Sequence, residues 1–174
     1  GSSALRAALL TAFGDEVATL NGDTAAAILW DMQKFYDNID VIKLIEEVGW
    51  TNYPLKVAAL GIQMHLAPRV IKAYDNYTLV DALPTNSIIA GCTQSNYFAR
   101  VHLFRILRRV SEGHPTTGLR SFVDDQRQSH HNRNPEEAAV QMVAAGHELA
   151  CGLEELGNVI NQDKTCLLYT SPSP

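Results

Sequence analysis

Two adjacent acids, Asp124 and Asp125, follow a short β-prone run that begins at Leu119. Neighbouring carboxylates repel each other, and a divalent cation, which prefers oxygen ligands, offsets that repulsion. A third acid, Asp31, ends an apolar run far upstream. An isolated Asp-Asp pair is usually a solvated turn. If the fold brings Asp31 beside the pair, however, the three carboxylates fit two Mg²⁺ ions about 4 Å apart, with Mn²⁺ as an alternative, an arrangement that serves phosphoryl transfer.

The composition of the 174-residue chain indicates one globular domain with a substantial core. The net charge of −5 is the wrong sign for a free-standing nucleic-acid-binding protein, which usually carries a basic face. No apolar run reaches about 18 residues, so we expect no membrane partner. Three widely spaced cysteines favour a reducing, intracellular location, nuclear or cytoplasmic. They are Cys92, Cys151 and Cys166.

Hydrophobic patterning predicts an alternation of helices and strands. Helices are predicted over residues 3–20, 94–110 and 135–156, and Asn38 or Asp40 is suited to cap a further helix. The first helix has apolar residues on one face: Leu5, Leu9, Ala12, Phe13 and Val17. Strands are predicted at 25–30, 117–123, 126–131 and 159–161, with a tight turn at 124–125. This order predicts an α+β fold, an antiparallel sheet with helices packed on one face.

Four segments, in order, resemble the motifs of reverse transcriptases of the group II intron and non-LTR retroelement type. The segment from Asp31 to Asp40 resembles motif A, and Gly91-Cys-Thr-Gln-Ser95 resembles motif B, which opens a helix in that family. Ser121-Phe-Val-Asp-Asp125 resembles motif C, and the segment from Leu156 to Thr165 resembles motif D, which ends in Lys-Thr. Together they extend over most of the chain.

The resemblance implies a polymerase palm with a ferredoxin-like core, in a partial chain that lacks most of the fingers and the thumb. Residues 1–24 are then a remnant of the fingers or an N-terminal helix, 25–169 the palm, and 170–174 an unstructured, non-native-looking tail. The implied activity is RNA-templated DNA synthesis for a retrotransposon. The implied partners are an RNA template, a DNA primer and deoxynucleoside triphosphates. The fragment alone is expected to be inactive.

The resemblance also assigns roles to individual residues. Asp31, Asp124 and Asp125 would be the catalytic metal ligands, and Lys164 would serve the triphosphate or its leaving pyrophosphate. Tyr36 would be the steric gate that rejects a 2′-hydroxyl group. Further contacts are implied for the nucleotide, from Phe35 and Gln94, and for the template and primer, from Gly91, Phe122 and Arg100.

Departures from the family pattern keep other functions open. Ser95 replaces a usual glycine, and the polar run Gln126–His131 is expected to weaken the second strand of the hairpin. One alternative is a catalytically dead palm relic that binds nucleic acid or protein. Another is a viral RNA-dependent RNA polymerase palm, although that class tends to carry Gly where Val123 stands. Phe35 also fits a core position, and the arginines at 100, 105, 108 and 109 also fit a solvated helix face.

Overall fold

The computed structural model describes residues 4–79 and 84–170. The chain divides into two compact units. The first comprises Gly1–Met32, Ile106–Leu153 and Ile160–Pro174, and the second comprises Gln33–Arg105 and Glu154–Val159. The division falls within β2, α5, α6 and β7, whose bounds follow. Asp31, Asp124 and Asp125 therefore belong to the same unit.

The helices and strands alternate largely as the sequence predicts. The helices are α1 (Ala4–Leu20), α2 (Phe35–Asn38), α3 (Val41–Trp50), α4 (Leu55–Leu66), α5 (Ser95–Gly113) and α6 (Pro135–Glu155). The strands are β1 (Thr24–Trp30), β2 (Met32–Gln33), β3 (Val70–Ala73), β4 (Asn76–Leu79), β5 (Gly118–Phe122), β6 (Asp125–Asn132), β7 (Val159–Ile160) and β8 (Cys166–Thr170). Within the described residues, no helix is long and apolar enough to span a membrane.

The main sheet belongs to the first unit and has the strand order β5-β6-β1-β8, with every neighbouring pair antiparallel. β1 lies between β8, the last strand in the chain, and β6, the second strand of the hairpin, which is the ferredoxin-like arrangement. Two-stranded sheets join β2 to β7 and β3 to β4. The prediction of an α+β fold with an antiparallel sheet is confirmed. Thr170 is paired with Ala25 as the last residue of β8, so the predicted tail is ordered at its first residue, whereas 171–174 lie outside the described residues.

β6 is a complete interior strand despite its polar sequence, so the expectation that it would be weak is wrong. Its alternate residues Gln126, Gln128 and His130 are buried. The Gln128 side chain accepts a hydrogen bond from Trp30 Nε1 at 2.9 Å and donates one to the carbonyl of Ala145 in α6 at 2.9 Å. Buried polar groups are tolerated when they are hydrogen-bonded, and these partners replace the apolar packing that the sequence lacks.

Replacing Gln128 with leucine is expected to lower the free energy of unfolding by about 1–3 kcal/mol, because Trp30 Nε1–H would remain buried without an acceptor. The same exchange at Gln141, which is exposed on α6, is the matched control and should change little. Urea denaturation of the two variants measures the difference. Equal stability of the two variants would show that the Gln128 network does not support the sheet.

The sheet carries helices on both faces rather than on one. Gln128 contacts α6, whereas its neighbour Arg127, which points to the opposite face of the strand, is ion-paired with Asp15 of α1. Asp15 also lies 3.0 Å from His131 Nε2. The predicted apolar face of α1 does not face the sheet: Leu5, Leu9, Phe13 and Val17 are exposed. The sheet side of α1 instead uses polar residues, since Thr11 accepts a hydrogen bond from Arg120 of β5 and Asp15 is ion-paired with Arg127 of β6.

The second unit packs its helices around Phe98, Leu44 and Ile39, each essentially inaccessible to solvent. Asp40 caps α3, as the sequence predicts, since its Oδ1 accepts hydrogen bonds from the backbone N–H groups of the first turn. Arg105 of α5 is ion-paired with the buried Glu47 of α3. The Arg105–Glu47 ion pair joins α5 to α3 within the second unit.

Candidate active site

Asp31 and Asp125 lie at neighbouring strand ends. β1 ends at Trp30, which is opposite Gln126 of β6. Asp31 follows Trp30 directly, and Asp125, the first residue of β6, precedes Gln126 directly. Two acids that are far apart in the chain therefore meet at one end of the sheet.

The hairpin turn differs by one residue from the predicted one. Phe122 is paired with Asp125, so the two-residue loop is Val123-Asp124 rather than Asp124-Asp125. Val123 has φ 59°, a left-handed conformation that is a true outlier for a β-branched residue. Gln126 Nε2 donates a hydrogen bond to the Val123 carbonyl at 3.0 Å and helps to hold this turn. Such strain concentrates at functional sites.

The carboxyl group of Asp125 at the hairpin tip is affected by burial and by two neighbouring acids. Partial burial raises the pKa of the Asp125 carboxyl, and the negative charges of Asp124 and then Asp31 raise the pKa further. Asp125 is nevertheless an exposed residue, so solvent screens much of this repulsion. Both other acids are close enough to Asp125 for their charges to act on its carboxyl group.

Asp31 is held by the turn that connects β7 to β8. Asn161 Nδ2 donates a hydrogen bond to Asp31 Oδ2 at 2.8 Å, and Asn161 N donates to the Asp31 carbonyl at 2.8 Å. The N–H of Asp31 donates to Thr165 Oγ1 at 3.3 Å. Asn161 is a site residue that sequence reasoning missed. Its place within the motif D-like segment was a signal, but the contact to Asp31, 130 residues away, is tertiary.

Two further predicted residues lie in this unit. Lys164 is exposed in the same turn as Asn161, and its N–H donates to the Asn161 carbonyl at 3.3 Å. Phe122 is 42% exposed and lines a cavity of about 500 Å³ together with Trp30 and Asp125. The remaining wall of this cavity is formed by α1 and by β5, β6 and β8. Phe122 is thus accessible next to the acids.

The remaining predicted residues belong to the second unit. The Tyr36 hydroxyl donates a hydrogen bond to Asn96 Oδ1 at 2.9 Å, which ties the motif A-like segment to the start of α5. Phe35 is buried against His102, so the structure places it in the core and not on a nucleotide-binding surface. Asn96 is a second residue that sequence reasoning missed.

The motif B-like loop is anchored from inside the second unit. His65 Nδ1 accepts a hydrogen bond from the N–H of Ile89 at 3.0 Å, and Ser95 Oγ donates to the Ile89 carbonyl. Gly91 is exposed and has φ 85°, which favours glycine. The side-chain oxygen of Gln94 is buried close to Gly61 of α4. Gln94 therefore packs inward, and a direct nucleotide contact through that oxygen does not fit this geometry.

Ion pairs account for most of the predicted basic cluster on α5. Arg105 pairs with Glu47, Arg108 with Glu112 and Arg109 with Glu148. Arg100 is exposed. This arginine cluster of α5 therefore carries less net positive charge than the sequence suggests. Of its four arginines, Arg100 is the one best placed to contact an external ligand.

The chemistry of the acid cluster fits a divalent cation, since carboxylate oxygens are the ligands that Mg²⁺ and Mn²⁺ prefer. Burial, and then the charges of Asp124 and Asp31, raise the pKa of Asp125, and a bound cation would relieve the repulsion among these charges. Among the described residues, no three His, Cys, Asp or Glu side chains are arranged as a ready metal-binding group. Asp31 and Asp125 therefore supply a fitting pair of donors, and Asp124 stands next to them without completing a three-ligand set.

Comparison with known proteins relates this chain to telomerase by fold. No protein-family model matches the chain, and no curated protein matches it. Among solved structures, apo telomerase from Candida tropicalis truncated from the C-terminal domain has a TM-score of 0.68 at 16% identity, covering 99% of this chain and 36% of that one. Telomerase from Candida albicans in complex with a TWJ fragment of telomeric RNA has a TM-score of 0.56 at 14% identity, covering 99% and 31%.

The chain thus spans about a third of the length of the telomerase chains that it matches. The likeness establishes the fold alone, an α+β architecture with an antiparallel sheet that resembles the matched part of the telomerase chains. It extends over nearly the whole of this chain, and therefore covers both compact units.

Proposed function

We propose that this chain is the palm of an RNA-directed DNA polymerase of a retroelement. The observation that supports this most directly is the register of β1 and β6, whose last pair, Trp30 with Gln126, is followed directly by Asp31 and preceded directly by Asp125 at one end of a ferredoxin-like sheet. The likeness of the fold to telomerase supports the broader class, nucleotidyl transfer. The retroelement assignment rests on the motif A, B, C and D resemblance in the sequence.

In this proposal, Asp31 and Asp125, with Asp124 beside them, hold two Mg²⁺ ions. When bound, the ions would activate the primer hydroxyl and stabilise the charge that develops on the phosphate oxygens. Lys164, exposed on the turn that also holds Asp31, would donate a proton to the leaving pyrophosphate. Phe122 would lie against the primer end. The proposed partners are an RNA template, a DNA primer and deoxynucleoside triphosphates.

Primer extension by the longest native polypeptide that contains this chain tests the proposal. We expect Mg²⁺-dependent incorporation of deoxynucleotides on an RNA template. Incorporation only of ribonucleotides would favour the RNA polymerase alternative. The absence of incorporation, with retained binding of an RNA–DNA hybrid, would favour a palm relic that binds nucleic acid. The incomplete three-ligand set among the described residues is the observation that favours this relic.

Tyr36 is expected to set the preference for deoxynucleotides. In a Tyr36→Ala polypeptide, the ratio of ribonucleotide to deoxynucleotide incorporation should rise about tenfold or more, because the ring that excludes the 2′-hydroxyl is gone. Tyr36→Phe is the matched control. It keeps the ring and removes the hydroxyl group that donates to Asn96, so its ratio should stay near that of the wild type. Parallel primer-extension assays with each nucleotide type measure the ratio, and an unchanged ratio in Tyr36→Ala would exclude the gate role.

A further inference from the structure

We propose that Asn161 is a positioning residue that fixes the Asp31 carboxylate for cation binding, an inference that rests on the proposed function. The residue lies in the turn between β7 and β8, opposite the end of β1. Asn161 donates two hydrogen bonds to Asp31. Its backbone N–H donates to the Asp31 carbonyl, and its side-chain amide donates to Oδ2, both at 2.8 Å.

Hydrogen bonds within the turn that contains Asn161 hold this residue in place. The N–H of Thr165 donates to the Asn161 carbonyl at 2.8 Å, and the N–H of Lys164 donates to the same oxygen at 3.3 Å. Thr165 Oγ1 in turn accepts from the Asp31 N–H at 3.3 Å. Asp31 is therefore contacted at its N–H, its carbonyl and its carboxylate by one five-residue turn.

A neutral amide suits this task better than a cationic side chain. A lysine or arginine at this place would neutralise Asp31 and compete with a bound cation. The Asn161 amide restricts rotation of the carboxylate through Oδ2 and leaves its full negative charge in place. Asn161 does not engage Oδ1, which stays available for a cation shared with Asp125. Groups that orient a metal ligand in this way typically contribute 10–100-fold to metal affinity or activity, on the order found for other outer-shell partners.

The Mn²⁺ affinity of the 174-residue chain, followed by the electron paramagnetic resonance of free Mn²⁺, tests the inference. Asn161→Ala should weaken binding about tenfold or more. Gln162→Ala is the matched control, since Gln162 is exposed in the same turn, and it should bind as the wild type does. Wild-type affinity in Asn161→Ala together with weakened binding in Asp31→Asn would overturn the inference and leave the proposed site standing. Equal binding by wild type and Asp31→Asn would overturn both.

A spectroscopic readout keeps the test decisive if Asn161→Ala fails to fold. The side-chain amide ¹⁵N–¹H signals of Asn161 report its hydrogen bond to Asp31 without any metal. In Asp31→Ala we expect these signals to shift and the amide protons to exchange faster, while the signals of the Gln162 side chain stay in place. Unchanged Asn161 signals in Asp31→Ala would show that the amide does not hold the carboxylate.

Discussion

In the longest native polypeptide that contains this chain, Asp31→Asn and Asp125→Asn are each expected to lower the rate of RNA-templated primer extension by about 10³-fold or more, because under the proposed function each removes a charge that would hold the catalytic cations. The isosteric amide keeps the shape of the side chain. Relief of like-charge repulsion at the hairpin tip should leave the folded state at least as stable as before. Loss of activity without loss of stability is the pattern that separates a catalytic role from a structural one.

Asp75→Asn is the matched control for these substitutions. It makes the same change of charge at an exposed acid in the β3–β4 turn and should extend the primer at the wild-type rate. Single-turnover assays with saturating nucleotide report the rates, and urea denaturation reports the stabilities. Wild-type extension by Asp125→Asn would remove this residue from the catalytic set.

His102 should make the protein sensitive to acid. Burial, and secondarily the charge of Lys43, lowers its pKa from 6.5 to about 4, and the hydrogen bond with Asn158 and the charge of Asp40 oppose this only in part. The unfolded chain therefore binds a proton between these pH values that the folded chain does not. The free energy of unfolding should fall by about 3 kcal/mol on this account as the pH drops from about 6.5 to about 4. The contribution is fully present above pH 6.5.

A His102→Gln variant isolates this contribution. Its free energy of unfolding, measured by urea denaturation across this pH range, should fall less steeply than that of the wild type. The matched control, His147→Gln, changes an exposed histidine of α6 and should keep the wild-type slope. Identical slopes in all three proteins would mean that His102 is protonated in the folded state as readily as in the unfolded chain.

Local signals in the sequence predict those parts of the fold that local chemistry determines. The apolar run that precedes Asp31 is β1, Asp40 caps α3, and Pro135 begins α6. Gly157, with φ 86°, follows the end of α6. Each of these depends on a residue's own conformational preference or on neighbours a few positions away. The order of these elements is sufficient to predict an α+β fold with an antiparallel sheet.

The features that the sequence does not reveal depend on partners far along the chain. β6 is stable because Gln128 meets Trp30 and the Ala145 carbonyl, a match that no local pattern encodes. The helical period of α1 identifies an apolar face, but it does not reveal that polar residues of this helix are the ones that face the sheet. The sequence alone identifies Asn161 as an ordinary turn residue, because its hydrogen bond to Asp31 depends on the tertiary structure. In each case tertiary contacts outweigh local preference.

In the proposed site, Asp31 and Asp125 act as one cation-binding unit. Calorimetric titration of Mn²⁺ into the wild-type chain, Asp31→Asn, Asp125→Asn and the double variant tests this most directly. If both carboxylates hold the same ions, each single variant should lose most of the binding, and the double variant should lose little more, giving a coupling free energy well above zero. Losses that simply add in the double variant, or tight binding that survives both substitutions, would contradict it.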